Sequence, residues 1–317
     1  MILSELKVIG SLPASSVCSH SHFTREIPFL STHLNHTQVN SRGINGTLHF
    51  PHREINLGDI VSVWYRRPVS SIPASELQDI ASLEFVIQES KTTLEGLWNL
   101  LTCFWVSHPN KIRTAESKLY QLKIATNIGF SIPDTLITDN PAVAEEFYTS
   151  HFKSVIYKPL HQARIFRDDK VSLIYSTKLD LIHPKDFQNV KYAPVILQSY
   201  IPKSLEIRVT VVGQEVFAVE LHTQEVSDAM HDWRRANIGS IKHRAHKLPV
   251  DMEQKCIKLV NFLQLQFGAI DMILTPDGEY VFLEINPNGQ WAWVQQICPE
   301  ILIRESLINL LLRGRID

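Results

Sequence analysis

Gly268-Ala-Ile-Asp-Met-Ile-Leu-Thr-Pro-Asp-Gly-Glu-Tyr-Val-Phe-Leu-Glu-Ile-Asn-Pro-Asn-Gly-Gln290 is the stretch that decides how this chain is read. Two apolar runs flank a Pro-Asp-Gly turn, the pattern of a β-hairpin. Asp271, Glu284 and Asn286 interrupt the apolar pattern. An acid inside a buried strand is costly unless a positive partner compensates it. Asp271 lies near the start of the first strand, and Glu284 and Asn286 lie near the end of the second. Hairpin pairing therefore sets them opposite one another. Glu284 and Asn286 are i and i+2, so their side chains emerge from one face. Three oxygen donors then converge, a set that suits a hard cation such as Mg²⁺, which keeps positions for waters and phosphate oxygens. The plainer alternative is a surface hairpin whose acids face water. Ile270, Ile273, Phe282, Leu283 and Ile285 argue instead for a buried sheet. The stretch reads as a nucleotide-metal site.

Composition frames that reading. With 317 residues, 44% hydrophobic and 20% charged, the chain is of ordinary globular type and long enough for two or three packed subdomains. A formal net charge of −2 argues against a nucleic-acid binder that relies on bulk phosphate attraction. No apolar run reaches the roughly 18 residues of a membrane span. Met1-Ile-Leu-Ser-Glu-Leu-Lys7 lacks the pattern of a secretory signal, so a cytoplasmic location is expected. Cys18, Cys103, Cys256 and Cys298 show neither metal-type nor redox-type spacing and read as reduced thiols. The pairs His20/His22, His33/His36 and His49/His52 lack a Cys or acid partner at ligand spacing, and no site is placed there.

Three blocks follow along the chain. Residues 1–57 show weak periodicity. Asp59-Ile-Val-Ser-Val-Trp-Tyr65 is a buried strand stopped by Arg66, Arg67 and Pro68. A long helix is expected from about Ala74 to Val106, its stripe carried by Leu77, Ile80, Leu83, Ile87, Leu94, Leu97, Trp98 and Leu101, with Ser107-His-Pro-Asn110 ending it. The second block opens with a helix from about Thr114 to Asn127, closed by Gly129. Strands are expected at 154–159, 171–176 and 194–198. Lys118 on the helix and Lys158 at a strand end make a plausible clamp on a triphosphate, each as a point charge. For Lys118 alone a solvated helix face is the plainer reading. The third block is a hairpin, Ser204–Gly213 with Glu215–His222, on which Glu206 and Arg208 share a face. Asp232-Trp-Arg-Arg-Ala-Asn237, a helix from about Asp251 to Phe267, the metal hairpin and a helix from about Ala292 to Leu312 complete it.

These residues, in this order, resemble the ATP-grasp superfamily over about residues 105 to 317. A narrower likeness is to the ATP-grasp ligases of microviridin-type graspetide pathways. It rests on Val63-Trp-Tyr-Arg-Arg-Pro68, Leu205-Glu-Ile-Arg-Val-Thr-Val-Val-Gly213, Asp232-Trp-Arg234 and Phe282-Leu-Glu-Ile-Asn-Pro-Asn-Gly-Gln-Trp291. The resemblance implies an α/β (α+β) fold: an N-terminal pre-ATP-grasp domain over 1–110, with 1–57 divergent, a central subdomain over 111–200, and a C-terminal antiparallel-sheet subdomain over 201–317.

The resemblance also implies roles. Lys118 and Lys158 would hold the ATP phosphates, the Gln198-Ser199-Tyr200-Ile201 hinge the adenine edge, and Glu206 the ribose. Asp271, Glu284 and Asn286 would hold one or two Mg²⁺ ions. Arg208 and Arg234, with Arg235 or Asn237 as neighbours, would stabilise the transferring phosphoryl group. The implied reaction activates Asp or Glu side chains of a ribosomal precursor peptide as acyl-phosphates and joins them to Ser/Thr hydroxyls or Lys amines. A leader segment of that peptide would dock near the 205–222 hairpin, and related ligases are commonly dimers. Two departures stand out. Pro159-Leu-His-Gln-Ala-Arg-Ile-Phe-Arg-Asp-Asp169 contains no glycine where many relatives carry a Gly-rich phosphate loop, and Arg164 or Arg167 could substitute for it. The second is the poorly patterned start. A different carboxylate–amine ligase and a non-catalytic peptide-binding scaffold are the competing readings. Intact lysines and acids count against the scaffold.

Overall fold

The computed structural model describes residues 5–10, 33–40, 43–50, 53–66, 79–160, 164–167, 170–179, 182, 184–227, 230 and 232–313. The chain opens with β1 (Glu5–Gly10), then a meander of β2 (His33–Asn40), β3 (Gly43–Phe50) and β4 (Arg53–Asn56). β5 (Ile60–Arg66) follows, then α1 (Ile80–Leu100) and β6 (Phe104–Val106). β5 pairs antiparallel with β1 and parallel with β6. Leu48, Ile55, Leu57, Val63, Leu97, Trp98 and Trp105 form the core of this unit. The meander lies in the stretch where sequence periodicity is weak. His20, His22, His52 and Cys18 lie outside the described residues.

The first expected helix is corrected here. α1 ends at Leu100, and Phe104-Trp-Val106 is a strand whose register pairs Ser62 with Phe104 and Val63 with Trp105. A short aromatic and β-branched run fits a helix end or a buried strand equally well until a partner strand is known. Asp79 caps α1, its carboxylate accepting from the Ser82 N–H at 2.8 Å. Leu77, at the start of the expected stripe, lies outside the described residues. His108-Pro109 starts a helix as well as ending the preceding segment. His108 is the N-cap of α2 (Pro109–Ala115), with proline at a first-turn position that needs no N–H donor. α3 (Lys118–Ile128) is a separate helix, closed by Gly129 at φ +94°.

The central unit is built from β7 (Thr135–Thr138), α4 (Pro141–Ser150), β8 (Val155–Lys158), the hairpin β9 (Arg164–Arg167) and β10 (Lys170–Leu173), β11 (Thr177–Lys178) and β12 (Val195–Ser199). Its sheet runs β11-β8-β12-β7. The glycine-free segment is thus partly a β-hairpin, pairing Ile165 with Ser172 and Phe166 with Val171. Arg164 and Arg167 sit on its first strand, and their side chains lie outside the described residues.

The last unit comprises β13 (Leu205–Val212), β14 (Glu215–Leu221), β15 (His243–His246), α5 (Val250–Phe262), β16 (Phe267–Leu274), β17 (Tyr280–Asn286), α6 (Ala292–Ile297) and α7 (Ile303–Arg313). Its sheet runs β15-β14-β13-β16-β17, antiparallel throughout. β13 is central. Ile207, Val209 and Val211 point from it into a core shared with α3 and α5, while Glu206, Arg208 and Thr210 face the other side. Full burial of each such aliphatic contributes roughly 1.5–3 kcal/mol. β13 and β14 turn through Gly213-Gln214, with Gly213 at φ +58°, a conformation open to glycine without a Cβ clash. The single C-terminal helix expected from the apolar stripe is two. It breaks at Cys298-Pro299, because proline disfavours helix at the residue before it and removes a donor. No helix among the described residues is long and apolar enough to cross a membrane.

Candidate functional site

Register does most of the assembly. Arg208 on β13 pairs across from Asp271 on β16, and Asp271 pairs across from Glu284 on β17. Arg208 Nη1 donates to Asp271 Oδ1 at 2.7 Å, and Lys118 Nζ from α3 donates to Glu284 Oε2 at 2.6 Å. The result is a row of four charges across one sheet face: Lys118, Glu284, Asp271, Arg208. The two acids are neighbours in the middle. Burial raises the Asp271 carboxyl, with Arg208 opposing and the Glu284 charge adding to the rise. Burial would raise Glu284 as well, but Lys118 and Lys158 outweigh it and hold the carboxyl down to about 2. Two adjacent carboxylates that ordinary strand pairing would leave repelling one another are an oxygen-only donor set that fits a hard divalent cation.

Lys158 ends β8 and faces the same charges from the central unit. Burial depresses its ammonium to about 8, Glu284 resists the change, and nearby Lys118 reinforces it. Lys118 opens α3 at the N-terminal end, where the helix dipole disfavours a cation. Neither lysine is where stability alone would put it. Asp232 is buried and gripped by Arg234 through a two-point fork, Nε to Oδ1 at 2.8 Å and Nη2 to Oδ2 at 2.6 Å. Asp232 Oδ2 also accepts from the Ser176 N–H at 3.1 Å, tying the strand run before β11 to the 232–235 turn.

Between the central and last sheets lies a cleft with about 720 Å³ of empty space, part of it open to solvent. Gln198, Ser199, Tyr200 and Ile201 line it together with Lys158, Glu206, Arg234, Asp271 and Glu284. Gln198 donates from Nε2 to Thr135 Oγ1 at 2.9 Å, whereas its Oε1 is buried without a partner among the described residues. A residue that lines the cleft thus carries a buried acceptor with capacity for one more donor. Glu206 lies in the wall, ion-paired with Lys203, and burial raises its carboxyl against the pull of that lysine.

Three expected residues sit differently from the rest. Arg235 is exposed and donates from Nη2 to Ser176 O at 3.2 Å and Thr177 Oγ1 at 2.7 Å, with its guanidinium over the Tyr175 ring. Asn237 is exposed, and its carboxamide oxygen accepts from the Gly239 N–H at 3.0 Å, a turn cap outside the cleft lining. Asn286 follows Glu284 on the same strand face, and its Oδ1 accepts from the Asn288 N–H at 3.1 Å.

Sequence reasoning missed Gln121, Lys203 and the connection through Arg66. Lys203 was discoverable as a cation three residues before a buried acid. The Arg66 connection had no local signal. Arg66 Nη1 donates to Gly289 O at 3.1 Å, and Trp64 packs on Trp291 with ring centroids 6.2 Å apart. The two segments quoted for the narrower likeness, Trp-Tyr-Arg-Arg and Asn-Pro-Asn-Gly-Gln-Trp, therefore touch. Arg208 Nη2 donates to Gln290 O at 3.2 Å, so the same loop also braces the site arginine.

Comparison with known proteins places this arrangement. The family model of the MvdD pre-ATP grasp domain matches residues 29–113. The solved RiPP-associated ATP-grasp ligase of Chryseobacterium gregarium, in complex with ADP and a leader and core peptide, is 31% identical with a TM-score of 0.84. That likeness covers 91% of this chain and 87% of that one. The chain belongs to the RiPP-associated ATP-grasp ligases. Macrocyclase MdnB from Microcystis aeruginosa MRC is 30% identical to this ligase at a TM-score of 0.72, covering 91% of this chain and 89% of that one. Macrocyclase MdnC from the same organism, bound with precursor peptide MdnA, is 26% identical at 0.78, covering 92% and 90%. No curated protein sequence matches this chain. The ligase is an ATP-dependent enzyme with the mixed helix-and-sheet ATP-grasp fold.

Proposed function

We propose that this ligase activates side-chain carboxylates of a ribosomally made precursor peptide with ATP and joins them to hydroxyls or amines of the same peptide, closing macrocycles. The observation that carries the reading is the row Lys118–Glu284–Asp271–Arg208, whose two central acids line the same cleft as Lys158 and Arg234. Support comes from the relative bound to ADP with leader and core peptide.

In this reading Gln198, Ser199, Tyr200 and Ile201 take the adenine, Glu206 the ribose, and Lys118 and Lys158 the phosphates. Asp271, Glu284 and Asn286 would hold one or two Mg²⁺ ions, which would supply charge neutralisation for phosphoryl transfer. Lys118 and Arg208 neutralise the two acids, and would be released toward phosphate oxygens if a divalent cation took over that task. A peptide carboxylate oxygen attacks the γ-phosphorus, the bond from γ-phosphorus to the bridging oxygen breaks, and ADP leaves. Arg208 and Arg234 stabilise the charge spread over the transferring group. The peptide's hydroxyl or amine then attacks the acyl carbon, phosphate departs, and the acceptor's proton goes to solvent. Residues 111–200 close over the nucleotide and exclude water, which would otherwise hydrolyse the acyl-phosphate.

Incubating the ligase with ATP, Mg²⁺ and the Thr/Ser- and Asp/Glu-rich peptide encoded nearest its gene tests this by mass spectrometry. Loss of one water per bond, with fragmentation suppressed inside the ring, is the expected result. An unchanged peptide, with ATP turnover only when a free amine is supplied, would hand the enzyme to the ordinary carboxylate–amine ligases.

A further inference from the structure

Gln121 is an unusual residue for its place. It is 3% exposed on the inner face of α3, among Leu122, Ile124 and Ala125, where an aliphatic side chain would pack without any polar cost. Its carboxamide is fully engaged. Nε2 donates to Ala115 O at 2.6 Å and to Ile285 O at 2.8 Å, and Oε1 accepts from the Ile285 N–H at 3.0 Å. β17 is the edge of its sheet. Gln121 therefore plays the part of a missing neighbour strand, but at one residue only. That residue is Ile285, which stands between Glu284 and Asn286.

The other anchor matters equally. Ala115 ends α2, and Lys118 lies on the chain between Ala115 and Gln121. One carboxamide thus fixes both the turn that carries Lys118 and the strand residue flanked by the two candidate metal donors on β17. Backbone position at Ile285 sets where Glu284 and Asn286 emerge, and backbone position at Ala115 limits where Lys118 can stand. Such outer hydrogen bonds orient donor side chains and change metal affinity without touching the ion.

We propose that Gln121 is a positioning residue for the divalent-cation site, holding Glu284 and Asn286 in metal-binding geometry through the backbone of Ile285. The inference rests on the metal assignment given above. The test is Mn²⁺ binding in the presence of ADP, read by electron paramagnetic resonance on full-length protein, alongside metal-free ADP binding and thermal melting. Gln121→Leu removes all three hydrogen bonds; Gln121→Glu keeps an acceptor for the Ile285 N–H and loses both donations. In Gln121→Leu the expected result is Mn²⁺ affinity weakened about tenfold or more, a larger loss than that of metal-free ADP affinity, which Lys118 also supports. Gln121→Glu, which carries the test alone if the leucine variant does not fold, is expected to weaken Mn²⁺ in the same direction. A folded variant with a lower melting temperature but wild-type Mn²⁺ affinity would reduce Gln121 to a structural pin and overturn the proposal. Failure of the wild-type protein itself to bind Mn²⁺ with ADP would instead remove the metal assignment beneath it.

Discussion

Lys118 with Glu284, Arg208 with Asp271 and Arg234 with Asp232 are ion pairs, and those partnerships set what substitutions should do. Glu284→Gln keeps the shape of the side chain and removes the charge that compensates Lys118 and Lys158. Mg²⁺-dependent ATP turnover should fall by about a hundredfold or more, the scale of losing a key electrostatic group, while the circular dichroism spectrum stays native; near-normal ADP release would remove Glu284 from the metal site. Lys158 makes a pH prediction. Burial depresses its ammonium to about 8 from an ordinary 10.5, so the folded protein gives up that proton before the unfolded chain does. Below pH 8 both states are protonated and the group adds no slope. Between about 8 and 10.5 the unfolded chain binds more protons, and this group alone makes stability rise with pH. Nucleotide phosphates should draw the proton back. Calorimetry in buffers of different ionisation heat should show proton uptake on ADP binding at pH 8.5 and little at pH 6.5, and equal heats at pH 8.5 would sink the assignment. Asp271, Glu284 and Lys158 were legible in the sequence because each breaks an apolar run, whereas Lys118 was legible only as the partner of Lys158. Arg235 and Asn237 were not, since a turn arginine and a turn asparagine look alike whether they face a ligand or their own backbone.

Among the elements, the loop after β17 is the most constrained. A Cβ at Gly289 would sit 2.3 Å from Ala269 Cβ and 2.8 Å from Arg208 Nη2. Gly289→Ala must therefore push the loop off β16 or push Arg208 out of line with Asp271. A destabilisation of about 1–3 kcal/mol is expected in denaturant melts, typical of overpacking, together with slower phosphoryl transfer; a variant as stable and active as wild type would show the loop free to move. Strands β13, β14, β16 and β17 were readable because they are runs rich in apolar and β-branched residues and their turns carry Gly213 and Gly278 at positive φ. The β2–β4 meander was not. Few of its described side chains are buried, Leu48 and Ile55 among them, so the alternation that marks a half-buried sheet is faint. The two misjudged helices failed for the same reason in reverse. Apolar residues on both sides of Leu101 and of Pro299 look like one helix until tertiary pairing or a proline's geometry divides it.

The whole molecule is tied together at the site. The Asp232–Ser176 and Arg235–Thr177 hydrogen bonds join the central unit to the last one beside the cleft. Arg235→Ala should loosen that closure without removing a phosphate ligand. The ratio of ADP released to peptide bonds formed should then rise severalfold as water reaches the activated acyl group, a ratio that coupled ADP assay and mass spectrometry measure together. An unchanged ratio would mean the tie is ornamental to closure. Contacts of this kind join residues far apart in sequence, which is why no periodicity announces them.

Arg66 and Trp64 carry the last consequence. They belong to the first unit, yet they seat the Gly289–Trp291 loop against which Arg208 rests. Without Arg66 and Trp64 that loop would lose its seat, and Arg208 its bracing from the Gln290 carbonyl. Phosphoryl transfer in the last unit thereby depends on a seat that the first unit supplies.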